Sequence, residues 1–332
     1  MIRAEVKLPP DTVKSLILKH YGLQVRSLEK VRAVYKVETP FGIFGFKNAE
    51  ELPDLPFIAN CLRKIRQNGF ERMPDFLLSN SREYLIDYDG ESYFMEEWLD
   101  VVEVPKESFP FLEKIGTALR DFHHAAKGVM PEQASHRFEW GKRQKFLVDA
   151  YYKIRSWKQH RSANPLEVQI LDFLHYRCSL AYEYLQGVSP DSLLKTCPES
   201  AVLCHGGLHH KNIMLDPDNQ IWFIDFETMV YAERVLDLAQ FLQYHAAPYQ
   251  WNPLIVHTFL QAYQSRLSVP VSREEWKIFF SYLAFPRRFY NRMVRYFDNV
   301  EASHDLLLKL QETVDNDMAK QSLLIRYNPK II

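Results

Sequence analysis

The most informative stretch of the chain is a polar loop between apolar segments, Cys204-His205-Gly206-Gly207-Leu208-His209-His210-Lys211-Asn212, followed by Ile221-Trp222-Phe223-Ile224-Asp225-Phe226-Glu227. Residues 201–204 and 221–225 have the apolar composition of short strands, and residues 216–219, Asp-Pro-Asp-Asn, favour a turn. The pattern predicts a hairpin that brings Asn212 and Asp225 to the same end. Amide and carboxylate oxygens are ligands that Mg²⁺ prefers beside substrate phosphates. We therefore predict a metal site at Asn212 and Asp225.

The chain before this stretch alternates between strand and helix signals. Turns are predicted at residues 39–42, Thr-Pro-Phe-Gly, and at Asp89-Gly90, each between β-prone runs. Helical spacing of apolar residues indicates helices at 12–20 and 55–68. We expect a small mixed α/β lobe over residues 1–97.

Beyond Trp98 the apolar spacing is mainly helical. Ser272 and Glu275 form a capping-box pattern, which marks a helix start. The predicted helices cover residues 108–127, 142–158, 165–186, 234–246, 253–267, 273–297 and 302–325. The fold class is therefore α+β, and the second lobe, 98–332, is mainly helical with an embedded hairpin at about 201–226.

Composition excludes several classes of protein. The 332 residues are 47% hydrophobic and carry 41 basic and 42 acidic side chains, so no net charge favours nucleic-acid binding. No apolar run reaches the roughly 18 residues that would predict membrane insertion. The N-terminus lacks the apolar core of a signal peptide, and the four cysteines form no CxxC pair, so we expect synthesis and folding in the reducing cytoplasm.

The segment 204–239 resembles the H-G-D-x-x-x-x-N, I-D-F/W-E and D-x-A signature of the aminoglycoside phosphotransferase and choline kinase-like superfamily. The last part of the signature is Leu236-Asp237-Leu238-Ala239. Weaker similarity extends over most of the chain, including Phe46-Lys47 and Tyr93-Phe94-Met95-Glu96-Glu97-Trp98. Within the superfamily, the chain is most similar to the CotS-like spore coat proteins of endospore-forming bacilli. The resemblance implies a two-lobed protein kinase-like fold.

The same resemblance implies cofactors, partners and a location. ATP and Mg²⁺ are the expected cofactors, and a nucleotide or another small molecule is the expected ligand. The protein would be made in the mother-cell cytoplasm and would then join the spore coat, with other coat proteins as its partners.

Four residues would bind the nucleotide if the family roles carry over. Lys47 would neutralise the phosphates, since phosphoryl transfer depends mainly on positioning and charge neutralisation. Glu96, Glu97 and Trp98 would form the hinge beside the adenine.

The remaining implied roles lie in or next to the polar loop. Asn212 and Asp225 would hold Mg²⁺, and His209 would approach the terminal phosphate. His205 and Asp237 would brace the loop.

The chain departs from an active kinase at three places. Gly207 occupies the position of the catalytic aspartate, and loss of a general base commonly lowers the rate by about 10²–10⁴-fold. The stretch between Lys36 and Lys47 has no glycine-rich phosphate loop. The helix at 55–68 has no glutamate to pair with Lys47, which leaves Glu50 or Glu51 as the expected partner.

Two functions remain open from the sequence. The first is a catalytically impaired, kinase-like spore coat protein that acts by protein interaction and keeps a nucleotide or metal as a structural ligand. The alternative is an active ATP-dependent phosphotransferase acting on a small-molecule hydroxyl.

Two further patterns favour structural interpretations. The pairs His123-His124 and His209-His210 do not predict zinc, because adjacent histidines on a helix point in different directions. Arg288, Arg292 and Arg295 share one helical face, which usually indicates a solvated or ion-paired surface, with an acceptor or partner surface as the alternative.

Overall fold

The computed structural model describes residues 5–50, 52, 54–105, 109–133, 135–159, 164–298 and 303–326. Every predicted site residue falls within these ranges. Glu51, one of the two expected partners of Lys47, lies outside the described residues.

The strands are short and are distributed over both halves of the chain. Within the described residues they are β1 (Ser27–Val31), β2 (Val34–Thr39), β3 (Gly42–Asn48), β4 (Ile86–Tyr88), β5 (Glu91–Glu97), β6 (Val102–Glu103), β7 (Ala201–Cys204), β8 (Ile213–Leu215), β9 (Ile221–Phe223) and β10 (Val230–Glu233).

Helices dominate the chain after residue 111. Within the described residues they are α1 (Pro10–Tyr21), α2 (Leu55–Gln67), α3 (Leu112–Ala125), α4 (Arg143–Gln159), α5 (Pro165–Tyr184), α6 (Pro190–Thr196), α7 (Val235–His245), α8 (Pro253–Gln264), α9 (Arg273–Ala284), α10 (Arg287–Phe297), α11 (His304–Met318) and α12 (Gln321–Arg326). The helices of this set do not include one that is long and apolar enough to cross a membrane.

The chain divides into two compact units. The first contains the described residues of Met1–Glu103 together with Asn212–Glu227, and the second contains those of Val104–Lys211 and Thr228–Ile332. The predicted lobe boundary between residues 97 and 98 stays a prediction, because compactness does not by itself define separately folding lobes.

The first unit is built on an antiparallel sheet of order β1-β2-β3-β5-β4. The predicted turn at Asp89-Gly90 is confirmed: both residues have positive φ, 53° and 79°, and the turn joins β4 to β5. One face of the sheet packs on α1, where Ile17, Phe46 and Met95 are fully buried. A second, smaller sheet joins β6, β8 and β9.

The second unit is mostly helical. The packed pairs include α3 with α8, α4 with α5, and α5 and α7 with α9. Its only sheet among the described residues is β7 paired antiparallel with β10. The predicted capping box is confirmed, since Ser272 Oγ accepts from the Glu275 N–H while the Glu275 carboxylate accepts from the Ser272 N–H.

The α+β fold class is confirmed, but several predicted elements are wrong in detail. The helix expected over 273–297 is two helices, because Pro286 removes a helical N–H and holds Phe285 extended, with φ −87° and ψ 114°. The helix expected over 302–325 is also two, α11 and α12.

The embedded hairpin also differs from the prediction. The turn at residues 216–219 joins β8 to β9, whereas β7 pairs with β10 rather than with the strand at 221–225. Strand β8 was not predicted, because three residues are too few to show alternation.

Candidate functional site

The polar loop, residues 205–211, is held by one buried carboxylate. Asp237 near the start of α7 is fully buried, and its Oδ2 and Oδ1 atoms accept hydrogen bonds from the backbone N–H groups of His205 (2.7 Å) and Gly206 (2.9 Å). Charge-assisted bonds of this kind are about twice as strong as neutral ones. The Asp237 carboxylate therefore fixes the backbone at the start of the loop.

Two further side chains support Asp237 from behind. His123 on α3 places Nε2 3.0 Å from Asp237 Oδ2 and Nδ1 2.8 Å from the Tyr263 hydroxyl oxygen. Burial raises the pKa of Tyr263, which keeps its hydroxyl protonated and able to donate to Nδ1. His123 then carries its proton on Nε2 and donates to Asp237.

The pKa of Asp237 is lowered in this setting. Burial opposes ionisation, but the hydrogen bond from His123, the charge of His205 and the hydrogen bond from the Gly206 N–H favour the carboxylate. Sequence reasoning missed His123 and Tyr263 as members of this network. The available signal was a histidine directly after the apolar core positions of α3, such as Phe122.

Gly206 is required by the path of the loop. Its φ is 74°, and a Cβ atom at this position would lie 2.1 Å from the Thr228 carbonyl oxygen. The Thr228 hydroxyl donates in turn to the His205 carbonyl at 3.3 Å. No residue with a side chain fits at 206 without moving this backbone.

Gly207, the next residue, brings only backbone groups to the loop. Its carbonyl accepts a hydrogen bond from the His209 N–H at 2.9 Å. The loop thus has an intact buried support and no carboxylate at the position where the resembling family has its aspartate.

Asn212 and Asp225 lie at the same end of the β8–β9 hairpin. Ile213 pairs with Phe223, and the Ile224 N–H donates to the Asn212 carbonyl at 3.1 Å, so Asp225 follows directly. Asn212 is buried, and Asp225 is half-buried with φ 68°. A non-glycine residue in this left-handed region is uncommon and recurs at functional sites. The donor set, an amide and a carboxylate, fits a hard cation such as Mg²⁺.

The partner of Lys47 differs from both residues expected from the sequence. The Lys47 ammonium forms an ion pair with the Glu96 carboxylate, and the two side chains are 15% and 17% exposed. Lys47 pairs with Phe94, and Gly45 with Glu96, so the two side chains are diagonal neighbours on one face of the sheet. Glu50, one of the two expected partners, is exposed, and its backbone N–H donates to Asn48 Oδ1.

Gly45 lies beside this ion pair. A Cβ atom there would lie 3.5 Å from Lys47 Cε and 3.9 Å from Glu96 Cγ, which are ordinary van der Waals distances. Glu96, predicted to be a hinge residue, uses its side chain to hold Lys47.

The other predicted hinge residues border a pocket in the first unit. Glu97 and Trp98 line a pocket of about 500 Å³ together with Phe41 and Arg66. The Trp98 N–H donates to the Ile43 carbonyl at 3.0 Å, and the Lys36 ammonium lies 5.4 Å from the Trp98 ring centre.

The strand turns near Lys47 contain no glycine-rich loop. β1 and β2 are joined by Arg32 and Ala33, with Arg32 at φ 55°. A flexible glycine-rich cover over phosphates is a recurring part of protein kinase sites. This part of the described chain does not provide one.

His209 contacts two aromatic side chains in the second unit. Its ring centre lies 6.2 Å from that of His210 and 5.7 Å from that of Tyr244, the latter edge-on. Burial, and then the charges of His210 and His209, lower the pKa of the neighbouring His245 to about 4. His245 is therefore neutral at physiological pH.

The described residues contain one cluster with metal-ligand spacing, formed by His123, Cys204 and Asp237. The Asp237 and His123 atoms are already engaged in the network that supports the loop. Burial raises the pKa of the Cys204 thiol well above its usual value, so a thiolate ligand is disfavoured. The cluster is better explained as buried support than as a zinc site.

Comparison with solved structures supports the fold. An aminoglycoside phosphotransferase from Alicyclobacillus acidocaldarius is 17% identical, with 99% of this chain and 98% of that chain covered and a TM-score of 0.76. A microcompartment-associated aminopropanol kinase is 16% identical over 96% and 97% of the two chains, with a TM-score of 0.60. Spectinomycin phosphotransferase, solved with ADP and spectinomycin, is 14% identical over 95% and 99%, with a TM-score of 0.59.

The sequence itself identifies the family. Residues 15–276 match the profile described as "Phosphotransferase enzyme family". This match covers more than half of the chain and includes Lys47, the polar loop, Asp225 and Asp237. The chain therefore belongs to the phosphotransferase enzyme family, in agreement with its kinase-like fold.

Proposed function

We propose that this protein is a phosphotransferase-family member with impaired phosphoryl transfer, which keeps a nucleotide and Mg²⁺ as ligands and acts through protein interaction. The observation that carries the proposal is Gly207 in a loop whose support is otherwise complete. Asp237, His123 and Gly206 hold the backbone, whereas no side chain at 207 can accept a substrate hydroxyl proton. The general base contributes about 10²–10⁴-fold in such reactions.

The ligand-binding half of the proposal rests on residues of the first unit. Asn212 and Asp225 would hold Mg²⁺, and Lys47 would contact nucleotide phosphates. When bound, Mg²⁺ would neutralise phosphate charge. The Glu96 carboxylate competes for the Lys47 ammonium, so nucleotide binding requires this ion pair to open or to be shared.

The spore coat is the proposed destination, and other coat proteins are the proposed partners. Support comes from the similarity of the motif set to CotS-like proteins. A fluorescent fusion in a sporulating bacillus tests this part separately. Signal that stays in the mother-cell cytoplasm after the coat has assembled would count against it.

The binding and turnover claims are tested together with purified protein. Mg-ATP at about 100 times its dissociation constant should stabilise the folded state by about 2.7 kcal/mol, measured as a rise in melting temperature. We expect the rise to be smaller for Asp225→Ala. Phosphate release and phosphorylation of amino alcohols, sugars and aminoglycosides should stay at background.

The second candidate is an active small-molecule kinase. It is favoured by the presence of Lys47, Asn212 and Asp225, and by fold neighbours that are named as kinases. Turnover of any acceptor by the natural chain, abolished by Asp225→Ala, would establish it and exclude the impaired alternative.

A further inference from the structure

A single aromatic ring, that of Tyr244, contacts both the polar loop and the N-terminal part of α10. The Tyr244 ring of α7 contacts His209 of the loop edge-on at 5.7 Å between ring centres. The Arg288 guanidinium carbon lies 4.2 Å from the centre of the same ring. Arg292 follows one helical turn later on the same face of α10. We call His209, Tyr244, Arg288 and Arg292 the Arg288 surface.

The two arginines of this surface carry positive charge, and no carboxylate within the described part of the chain forms a salt bridge with either of them. Helix α10 contains four arginines and no acidic residue, and residues 205–211 contain none either. The one acidic residue of α7 is Asp237, whose carboxylate is buried and bound to the loop backbone. Among the residues that the structure describes, none forms a salt bridge with Arg288 or Arg292.

The charge of Arg292 disfavours the charged form of Arg288. Partial burial and the charge of Arg292 both lower the pKa of Arg288, and no carboxylate offsets them. Like charges at i and i+4 destabilise a helix, and partial desolvation increases their repulsion. An ion-paired surface, one of the two structural alternatives for this stripe, therefore does not describe Arg288 and Arg292.

A phosphate group would neutralise the positive charge of Arg288 and Arg292. Guanidinium groups bind phosphate in a bidentate manner, and two of them one turn apart can share a doubly charged anion. An ammonium ligand, by contrast, would be repelled by the two guanidinium groups. Aminopropanol and spectinomycin, the ligands named for two fold neighbours, both carry amino groups.

We propose that the Arg288 surface binds the phosphate group of a small anionic ligand next to the polar loop. This inference rests on the proposed function in that it names the ligand class of a ligand-binding protein. The phosphate has two possible sources, the terminal phosphate of the nucleotide or a separate phosphorylated molecule.

The test uses calorimetry on the full chain with inorganic phosphate, glycerol 3-phosphate, glycerol and choline as probes. We expect both phosphates to bind, and glycerol and choline to bind at least 10-fold more weakly than glycerol 3-phosphate. Arg288→Gln should weaken phosphate binding at least 10-fold, and Arg288→Lys should restore part of it.

Arg287→Gln is the matched control. It removes the same charge from the same helix, but Arg287 lies over Phe146 rather than Tyr244, 5.0 Å from the ring centre. Phosphate affinity should change less than twofold. Equal loss in the Arg287 and Arg288 variants, absence of phosphate binding to the natural chain, or tighter binding of choline than of glycerol 3-phosphate would overturn the proposal.

Calorimetric titrations with Mg-ATP and AMP identify the source of the phosphate. If it is the terminal phosphate, Arg288→Gln weakens Mg-ATP but not AMP, and inorganic phosphate competes with Mg-ATP. If it belongs to a separate molecule, Arg288→Gln leaves Mg-ATP affinity unchanged. Loss of both nucleotides with phosphate binding retained would refute the proposed nucleotide function and leave this inference standing.

Discussion

The polar loop of the second unit and the Lys47–Glu96 pair of the first unit differ in which part of a site is present, the backbone support or the functional side chain. The loop keeps its support: Asp237 holds two backbone N–H groups, and Gly206 allows the close approach of Thr228. What it lacks is a reactive side chain at Gly207. The sheet keeps Lys47, the lysine that we propose contacts nucleotide phosphates, but pairs it with Glu96. An intact backbone support and an available functional side chain are therefore separate properties, and each needs its own test.

Substitution of Gly206, which determines the path of the loop, should cost more stability than any other change considered. Gly206→Ala should lower the free energy of unfolding by about 4 kcal/mol, because Cβ would overlap the Thr228 carbonyl in addition to the cost of positive φ. Gly128→Ala is the control, since Gly128 has φ 72° and nothing within 4 Å of its Cβ position. It should cost only about 1–2 kcal/mol. Urea unfolding measures both, and similar losses would show that the loop relaxes easily.

The next effect concerns the buried carboxylate. Asp237→Asn should destabilise the protein by about 3 kcal/mol at neutral pH, because a charged acceptor of three hydrogen bonds is lost.

The pH dependence of that loss has a defined sign. The pKa of Asp237 is lowered in the folded state from its ordinary value of 3.8. Its contribution is therefore complete above pH 3.8 and disappears as the pH falls through the lower folded-state pKa. The difference between natural and variant chains should stay constant from pH 8 to 5 and shrink below 3.8. A difference that already shrinks between pH 7 and 5 would contradict the assignment.

The smallest expected effect tests whether Lys47 is available. Glu96→Gln should release the Lys47 ammonium and tighten Mg-ATP binding by about 10-fold, equivalent to about 1.4 kcal/mol. Lys47→Met should weaken binding in either background. Calorimetry of both single variants and the double variant gives the coupling between the two side chains. Weaker Mg-ATP binding by Glu96→Gln would show that Glu96 supports the nucleotide site rather than competing for Lys47.

Local signals in the sequence predicted much of this structure. The capping box at Ser272 and Glu275 and the turn at Asp89-Gly90 depend on residues a few positions apart, and both are confirmed. Asn212 and Asp225 lie at one end of a hairpin as predicted, but the strand that pairs with β9 is β8 and not the predicted run at 201–204.

Contacts between distant residues could not be predicted in the same way. Lys47 and Glu96 meet because of the register between β3 and β5, which the alternation within each strand does not specify. His123 contacts Asp237 although the two residues are 114 positions apart in the sequence. Tyr263 contacts His123 across 140 positions. The break at Pro286 was visible in the sequence, but apolar periodicity continued across it.

Gly207→Asp restores a carboxylate to a loop that keeps its backbone support but lacks a proton acceptor. The measurement is the rate of phosphate release from Mg-ATP, and of transfer to the acceptor panel, for the natural chain and the variant. We predict background rates for the natural chain and a gain of about 100-fold or more for Gly207→Asp, abolished again by adding Asp225→Ala. Robust turnover by the natural chain that Gly207→Asp leaves unchanged would contradict the account.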